Sequence, residues 1–147
     1  MAHGISIRAA TAQDAPELVR LNSLFNGEEE PPGQLAQRLQ DPRRVETPLL
    51  AEMGGCVAGF AALRIVPCIF YPEPYAELTE LYVEPAYRGR GVGRALVRYA
   101  EQMAIEAGAD QLFILTGFDN QPALALYRGL GYADYDLALC KQLPPQV

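Results

Sequence analysis

The succession of apolar and polar residues predicts alternating strands and helices along this 147-residue chain. Apolar residues at every second position indicate a strand, and apolar residues that return every three or four positions indicate a helix. On these criteria we predict strands at residues 5–8, 47–53, 56–66, 77–83, 111–116 and 134–140. We predict helices at residues 14–25, around 35–39, at 92–107 and at 120–130. The order β-α-α-β-β-β-α-β-α-β predicts one α/β domain over residues 1–147, with a mixed central sheet of about six to seven strands and helices on both faces.

The most informative stretch joins the predicted strand at 77–83 to the predicted helix at 92–107. We call this stretch the glycine turn; its residues are Arg88, Gly89, Arg90, Gly91, Val92, Gly93 and Arg94. Glycines before a helix let backbone N–H groups converge on an anion, and the helix dipole adds positive potential there. The three arginines add full positive charges. The pattern predicts a phosphate-binding turn.

Two common nucleotide-binding patterns do not fit the glycine turn. A dinucleotide fingerprint has glycines at its first, third and sixth positions, and the sixth position counted from Gly89 is Arg94. A Walker-type loop needs a lysine after its last glycine, and the only lysine of the chain is Lys141. A pyrophosphate carried by another cofactor remains a candidate ligand of the glycine turn.

The segment from Glu77 to Gly93 resembles the cofactor-binding core of the GNAT acetyltransferase superfamily. The family pattern is Arg or Gln, two residues, Gly, one residue, and Gly or Ala, and it matches Arg88, Gly91 and Gly93 without a gap. The resemblance covers about residues 47–140, and the predicted order of elements is also that of the family fold.

A second landmark strengthens the resemblance. The family has an Asn shortly before a helix that carries Ala and Tyr, and these correspond to Asn120, Ala123 and Tyr127. Family members transfer an acetyl group from acetyl-CoA to an amine, so the resemblance implies acetyl-CoA as the acyl-donor cosubstrate. It also implies that the strands at 77–83 and 111–116 splay apart, with the pantetheine arm lying between them like an added strand.

The resemblance assigns the residues that hold this cosubstrate. The strand edge contributes Leu81, Tyr82 and Val83, although plain core packing is the alternative for the side chains of Leu81 and Val83. The backbone amides of the glycine turn bind the pyrophosphate. Asn120, Ala123 and Tyr127 complete the cofactor-binding set.

Three side chains are candidates for catalysis. An amine with a pKa near 10 must lose a proton before it attacks, which suits a carboxylate such as Glu80 or Glu77. Strict alternation puts these two on opposite faces, so at most one reaches the cleft unless a bulge intervenes. A solvent-facing or salt-bridged carboxylate is the alternative. By resemblance, Tyr127 lies near the sulfur of coenzyme A and donates a proton to the departing thiolate; a core tyrosine is the alternative. The backbone N–H near Leu81 is the expected oxyanion donor.

Charge and composition narrow the partners. Eighteen acidic against 12 basic residues give a net charge of −6, which argues against nucleic acid and favours cationic ligands. No apolar stretch approaches the roughly 20 residues of a membrane helix, so we expect no membrane partner. Cys56, Cys68 and Cys140 form no C-x-x-C pair and are typical of reduced, mostly buried residues of a cytoplasmic protein. His3 is the only histidine, and we expect no metal.

Two loops are expected near the acceptor. In the family fold, Glu28–Glu30 borders the acceptor side, where it would attract a cationic amine; a solvated acidic loop is the alternative. The loop from Ile69 to Tyr75 would form a wall of the acceptor pocket, cover the core or make a dimer contact.

The sequence thus favours an N-acetyltransferase that moves an acetyl group from acetyl-CoA to a primary amine of a small cationic molecule or peptide by direct transfer. The alternative is a catalytically idle acyl-CoA-binding module, for which the glycine turn alone would suffice. The identity of the acceptor and of the general base stays open. So does the oligomeric state, although relatives frequently form homodimers.

Overall fold

The computed structural model describes residues 4–146, and His3 lies outside them. Among these residues are five strands and four α-helices. The strands are β1 Ile5–Ala9, β2 Glu46–Met53, β3 Cys56–Val66, β4 Tyr75–Val83 and β5 Phe113–Ile114. The helices are α1 Ala15–Asn26, α2 Pro32–Gln40, α3 Val92–Glu106 and α4 Gln121–Gly129. The chain divides after Leu115 into a first unit, which holds the sheet and α1–α3, and a second unit, which holds α4.

The strands form one mixed sheet in the order β1-β2-β3-β4-β5. β1 to β4 pair antiparallel with one another in chain order, and Gly54 and Gly55 make a tight hairpin between β2 and β3 with left-handed φ angles of 60° and 82°. β5 runs parallel to β4 and pairs only through Glu77 with Phe113 and Leu78 with Ile114. The mixed character predicted for the sheet is therefore confirmed.

Helices of the first unit cover both faces of the sheet. On one face, Leu50 and Phe60 pack against Leu18 and Leu21 of α1. The adjacent Leu49 of β2 points to the other face because side chains alternate along a strand, and it is fully buried. There α3 contacts β1 to β4 and buries its apolar stripe, which consists of Val92, Leu96, Val97, Ala100 and Ala104.

The number and order of strands differ from the prediction. Residues 132–146 form no helix or strand, so the strand expected at 134–140 is absent and the final β of the predicted order with it. A strand needs a neighbour for its backbone hydrogen bonds, and this segment pairs with none of the described strands. The strand expected at 111–116 shrinks to two residues because β4 pairs with it only there. The sheet has five strands rather than six to seven.

The prediction that the cysteines are mostly buried is wrong. Cys56 and Cys140 are exposed, Cys68 is intermediate, and all three are free thiols. Cys56 lies where β3 leaves the hairpin, and Cys140 lies in the exposed segment without secondary structure. Within residues 4–146, no helix is long and apolar enough to cross a membrane.

β3 and β4 approach each other closely at Gly59. A Cβ added there would lie 2.4 Å from the backbone oxygen of Tyr82 and 3.1 Å from the Cα of Val83. Backbone atoms cannot swing aside as a side chain does, so only glycine fits this position. This contact sets the separation of the two strands just before the glycine turn.

We predict that Gly59→Ala lowers the free energy of unfolding by about 1–3 kcal/mol, because the new methyl group forces the two backbones apart. Urea denaturation followed by circular dichroism measures the loss. Gly33→Ala is the matched control, since apart from its chain neighbours and its own helix backbone no atom lies within 4 Å of its Cβ position, and its stability should equal that of the wild type or exceed it by up to about 1 kcal/mol because alanine favours the helix. Equal stability of the two variants would contradict the close approach.

Candidate active site

A bulge in β4 determines which side chains share a face. Glu80 lies opposite Ala62 of β3, but the next residue of β3, Leu63, lies opposite Leu78, so Thr79 is the extra residue. Glu77 lies opposite Arg64, which is on the same face of β3 as Ala62. Glu77 and Glu80 therefore lie on one face of the sheet. Strict alternation would put them on opposite faces, and the bulge is the exception that the sequence analysis allowed for. This is the face of Phe60, which α1 covers.

On this face lies a cavity of about 630 Å³, which we call the α1–α2 cavity. Its apolar wall comes from both helices and the sheet: Leu18, Leu35, Leu39, Val45, Pro48, Phe60 and Ala62. Its polar and charged lining residues are Asn22, Arg38, Asp41, Arg43, Arg44, Glu46, Arg64 and Glu80. A volume of this size is typical of small-molecule sites, and the convergence of polar groups on an apolar wall is too.

Glu80 is the predicted catalytic carboxylate that lines this cavity. The side-chain amide of Asn26, the last residue of α1, donates to Glu80 Oε2 at 3.3 Å and to Asn22 Oδ1 at 2.7 Å. α1 ends there because Gly27 adopts a left-handed φ of 72° and closes the helix. The end of α1 thus orients the carboxylate, which stays partly accessible.

Glu77 has a different environment. It is 8% exposed and accepts hydrogen bonds from the Tyr75 hydroxyl at 3.0 Å and from Arg64 Nη1 at 3.4 Å. Burial, together with the hydrogen bond to Glu77, raises the pKa of Tyr75. Glu77 is not among the residues that line the α1–α2 cavity. Its contacts are those of a salt-bridged carboxylate, the alternative stated for it, and a catalytic role for Glu77 stays a prediction.

The cavity holds a second carboxylate that the sequence pattern did not reveal. Glu46 begins β2, lies opposite Arg64 and accepts a hydrogen bond from the hydroxyl of Thr79, the bulged residue of β4. No local motif links Glu46 to Glu80, because they approach only through the pairing of β2, β3 and β4. Arg44 and Arg64 were missed for the same reason.

The outer edge of β4 is open beyond the bulge. Pairing with β5 ends at Leu78, and no strand of the described chain pairs with that edge from Thr79 to Val83. Leu81, Tyr82 and Val83, the predicted strand-edge residues, are partly accessible. An exposed strand edge can accept the amide groups of an extended ligand. The resemblance implied strands that splay apart here around a pantetheine arm, and the binding of that arm stays a prediction.

The glycine turn has the backbone geometry of an anion site. Gly89 and Gly91 adopt φ angles of 73° and 89°, which favour glycine, and α3 begins at Val92. The earliest helical bond runs from Ala95 N–H to Gly91 O at 3.0 Å. The N–H groups of the first turn, Val92 to Arg94, therefore have no backbone acceptor among residues 4–146. They suit a pyrophosphate, since donors and helix dipole favour an anion there.

The arginines of the turn differ in their contacts. Arg88 Nε donates to the carbonyl of Val83 at 2.8 Å, and its guanidinium lies 5.6 Å from the centre of the Tyr82 ring. The backbone N–H of Arg88 bonds to Pro85 O at 3.3 Å. Arg88 thus ties the turn to the end of β4. Arg90, whose guanidinium lies 5.8 Å from the centre of the Tyr87 ring, and Arg94 are exposed and keep their charge beside the turn.

The second unit carries the other predicted cofactor residues. Asn120 is the N-cap of α4, and its Oδ1 accepts a hydrogen bond of 3.4 Å from Ala123 N–H. Tyr127 is buried, its ring meets that of Tyr132 edge to face at 6.1 Å, and burial raises its pKa to about 12. Its phenol is therefore protonated at neutral pH and available as a hydrogen-bond donor.

The two predicted acceptor loops have separate surroundings. Glu30 forms an ion pair with Arg38, which neutralises part of the acidic loop, while Glu28 and Glu29 are exposed. Ile69 and Phe70 are 93% and 89% exposed, and neither lines the α1–α2 cavity. Among the described residues, no group of three or more histidines, cysteines or carboxylates is arranged to hold a metal ion.

The sequence profile of the Acetyltransferase (GNAT) family matches residues 15–132, which is more than half of the chain. The protein belongs to the GNAT acetyltransferase family. The match spans the α1–α2 cavity, the open edge of β4, the glycine turn and Tyr127. The structure's mixed α/β sheet agrees with this membership.

Individual proteins that the chain resembles are acetyltransferases too. The chain is 34% identical to the N-alpha-acetyltransferase RimI of Mycobacterium tuberculosis, over 87% of this chain and 78% of that protein. It is 29% identical to a mycothiol acetyltransferase of Nocardioides, over 90% of this chain and 51% of that protein, so it spans about half the length of that relative. The fold matches the crystal structure of an aminoglycoside acetyltransferase from a soil metagenomic sample, with a TM-score of 0.82, 16% identity and coverage of 97% of both chains.

We predict that burial of the Tyr127 phenol makes the free energy of unfolding decrease at alkaline pH. A folded pKa of about 12 against 10 in the unfolded chain means that stability is complete below pH 10 and falls as pH rises toward 12. Between pH 9 and 11, the wild type should lose about 1 kcal/mol more unfolding free energy than Tyr127→Phe. Tyr71→Phe, which removes an exposed hydroxyl, is the control and should follow the wild type. Parallel curves for wild type and Tyr127→Phe would contradict the assignment.

Proposed function

We propose that this protein is an N-acetyltransferase that moves an acetyl group from acetyl-CoA directly to a primary amine. The observation that carries the proposal is the double role of β4. From Thr79 to Val83 its outer edge is open to an extended ligand, while its face carries Glu80 into the α1–α2 cavity. One strand can thus align a donor and an acceptor, and alignment alone lowers the barrier of a two-substrate reaction substantially.

The residues present fit acetyl-CoA. The N–H groups of Val92 to Arg94 and the exposed cations Arg90 and Arg94 suit its pyrophosphate, and the edge at Leu81 to Val83 suits the amides of its pantetheine arm. The cosubstrate supplies an acetyl thioester, whose C–S bond breaks as the amine nitrogen bonds to the carbonyl carbon, so that an amide and free thiol result. We propose no metal in this reaction.

Glu80 prepares the amine. An ammonium group with a pKa near 10 is protonated at neutral pH and cannot attack until it loses a proton. The Glu80 carboxylate, held by Asn26, binds the ammonium group in the cavity and accepts that proton directly or through water. Glu46 lines the same cavity and is a further carboxylate there.

Donors stabilise the charges that develop. The backbone N–H near Leu81, on the open edge of β4, is the proposed partner of the carbonyl oxygen. The Tyr127 hydroxyl is the proposed partner of the leaving sulfur. With a pKa of about 12, Tyr127 is a weaker acid than a thiol near 8.5, so it acts as a hydrogen-bond donor rather than giving up its proton completely. The second proton of the amine can then reach the thiolate.

We further propose that the protein is cytoplasmic, which its three free thiols support.

An acetyl-CoA consumption screen tests the function. We expect thiol release with at least one class among polyamines, aminoglycosides, amino acids and peptides with a free N-terminus. The companion measurement is calorimetric titration with acetyl-CoA. Binding without thiol release from any acceptor would overturn the transferase proposal in favour of the idle acyl-CoA-binding module, and absence of binding would overturn both.

We predict that Glu80→Gln lowers kcat/KM for the amine at neutral pH at least tenfold, because the amine then loses its proton without a base. The loss should shrink as pH approaches the pKa of the amine, and the affinity for acetyl-CoA should not change. Glu106→Gln, on the exposed end of α3, is the control. A wild-type pH profile for Glu80→Gln would rule out its role as base.

A further inference from the structure

The α1–α2 cavity has more basic than acidic lining residues, although the chain as a whole is acidic. The chain has a net charge of −6, yet four arginines and three carboxylates line the cavity. Two of these arginines are neutralised at the rim, since Arg38 pairs with Glu30 and Arg43 pairs with Asp41. Arg44 and Arg64 remain, and their surroundings decide what the cavity can bind.

Arg44 is a cation held in place by uncharged partners. Its Nε donates to the carbonyl of Leu39 at 2.8 Å, and its Nη1 donates to the carbonyl of Glu46 at 2.9 Å and lies 3.4 Å from Thr47 Oγ1. None of the described carboxylates forms an ion pair with it. These contacts fix the guanidinium between the end of α2 and the start of β2 without neutralising it. A pre-organised, unneutralised guanidinium suits a carboxylate.

Arg64 lies on the floor of the cavity and is only partly engaged. It lies opposite Glu46 on one side and Glu77 on the other, and its side chain is 43% exposed. Its one ion pair among the described residues is the 3.4 Å contact with Glu77, so most of its five N–H donors are available. Arg64 can add a second hydrogen bond to an anion that Arg44 binds.

The cavity presents a carboxylate, Glu80, and two cations to one ligand from different strands of the sheet. Arg44 is anchored at Glu46 and Thr47, whereas Glu80 lies opposite Ala62 and thus in register with Pro48. Two strand spacings and an offset of one to two residues along the strands separate the two backbone positions by about 10–12 Å. An amine and a carboxylate on one carbon, with a hydrogen bond at each end, span about 8–9 Å, and a dipeptide spans about 3–4 Å more, so ligands of this size are on the scale that bridges Glu80 and the arginines. A purely cationic acceptor would leave the Arg44 charge without a partner.

We infer that the acceptor is an amino acid or short peptide with a free amine and a carboxylate, an assignment that rests on the proposed transferase function. Glu80 binds the amine, Arg44 and Arg64 bind the carboxylate, and the apolar wall contacts an apolar side chain. This replaces the cationic acceptor that the overall charge favoured. The amine loses one proton to Glu80 and forms the C–N bond, and the second proton leaves with the thiol.

Matched acceptors test the inference. Thiol release is measured with L-leucine, L-methionine and L-phenylalanine, with the amide of each, and with spermidine, and kcat/KM is expressed per free amine. We expect at least one acid to exceed its amide by tenfold or more. Amides or spermidine that serve as well as the acids would overturn the inference while leaving the transferase function intact.

Variants locate the carboxylate. Arg44→Gln should lower kcat/KM at least tenfold for the acid and less than twofold for its amide, and Arg44→Lys should restore part of the loss. Arg64→Gln should act in the same direction, whereas Arg98→Gln, which replaces an exposed arginine of α3 that pairs with Glu101 outside the cavity, should act like the wild type. Equal losses for acid and amide would overturn the assignment of these arginines.

A binding measurement separates the inference from the proposed function. If no amine releases thiol, the transferase proposal fails, and calorimetric titration with L-leucine and L-leucinamide decides the inference alone. Tighter binding of the acid by tenfold or more, lost in Arg44→Gln, would support it. Equal binding of the two, or none, would overturn it.

Discussion

The site depends on one irregularity in backbone pairing, the bulge at Thr79 of β4. A single extra residue changes the side on which every later side chain of a strand lies. Without it, Glu80 would point to the face that the apolar side chains of α3 cover, away from the α1–α2 cavity. With it, Glu80 enters the α1–α2 cavity, and the hydroxyl of Thr79 reaches Glu46.

Several contacts fix the end of β4 and the turn that follows it. Gly59 lets β3 approach Tyr82, Arg88 ties the carbonyl of Val83 to the glycine turn, and Gly91 admits the conformation from which α3 starts. These contacts fix where the first amides of α3 lie relative to the edge of β4. The open edge of β4 and the anion site therefore lie on one continuous backbone segment that these contacts hold in place.

Features encoded by neighbouring residues were predictable from the sequence. The hairpin at Gly54 and Gly55, the end of α1 at Gly27 and the turn before α3 each follow from local backbone preferences, and the structure has all three. Glu80 could be named as a candidate, but its orientation could not, because the bulge depends on pairing with Ala62 and Leu63. Arg44 and Glu46 became visible only when distant strands lay side by side. The segment at 134–140 shows the converse: alternation predicts which face a strand would bury, but not whether a neighbour exists.

Ala62 has a consequence for the depth of the cavity. It lies opposite Glu80, between Phe60 and Arg64 on the same face, and its side chain is a single carbon. Any larger residue would raise the floor directly beneath the carboxylate, while the adjacent Leu63, on the reverse face, could keep its packing. The space beneath the carboxylate thus depends on one methyl group, and a substitution there can alter the cavity separately from the packing of the opposite face.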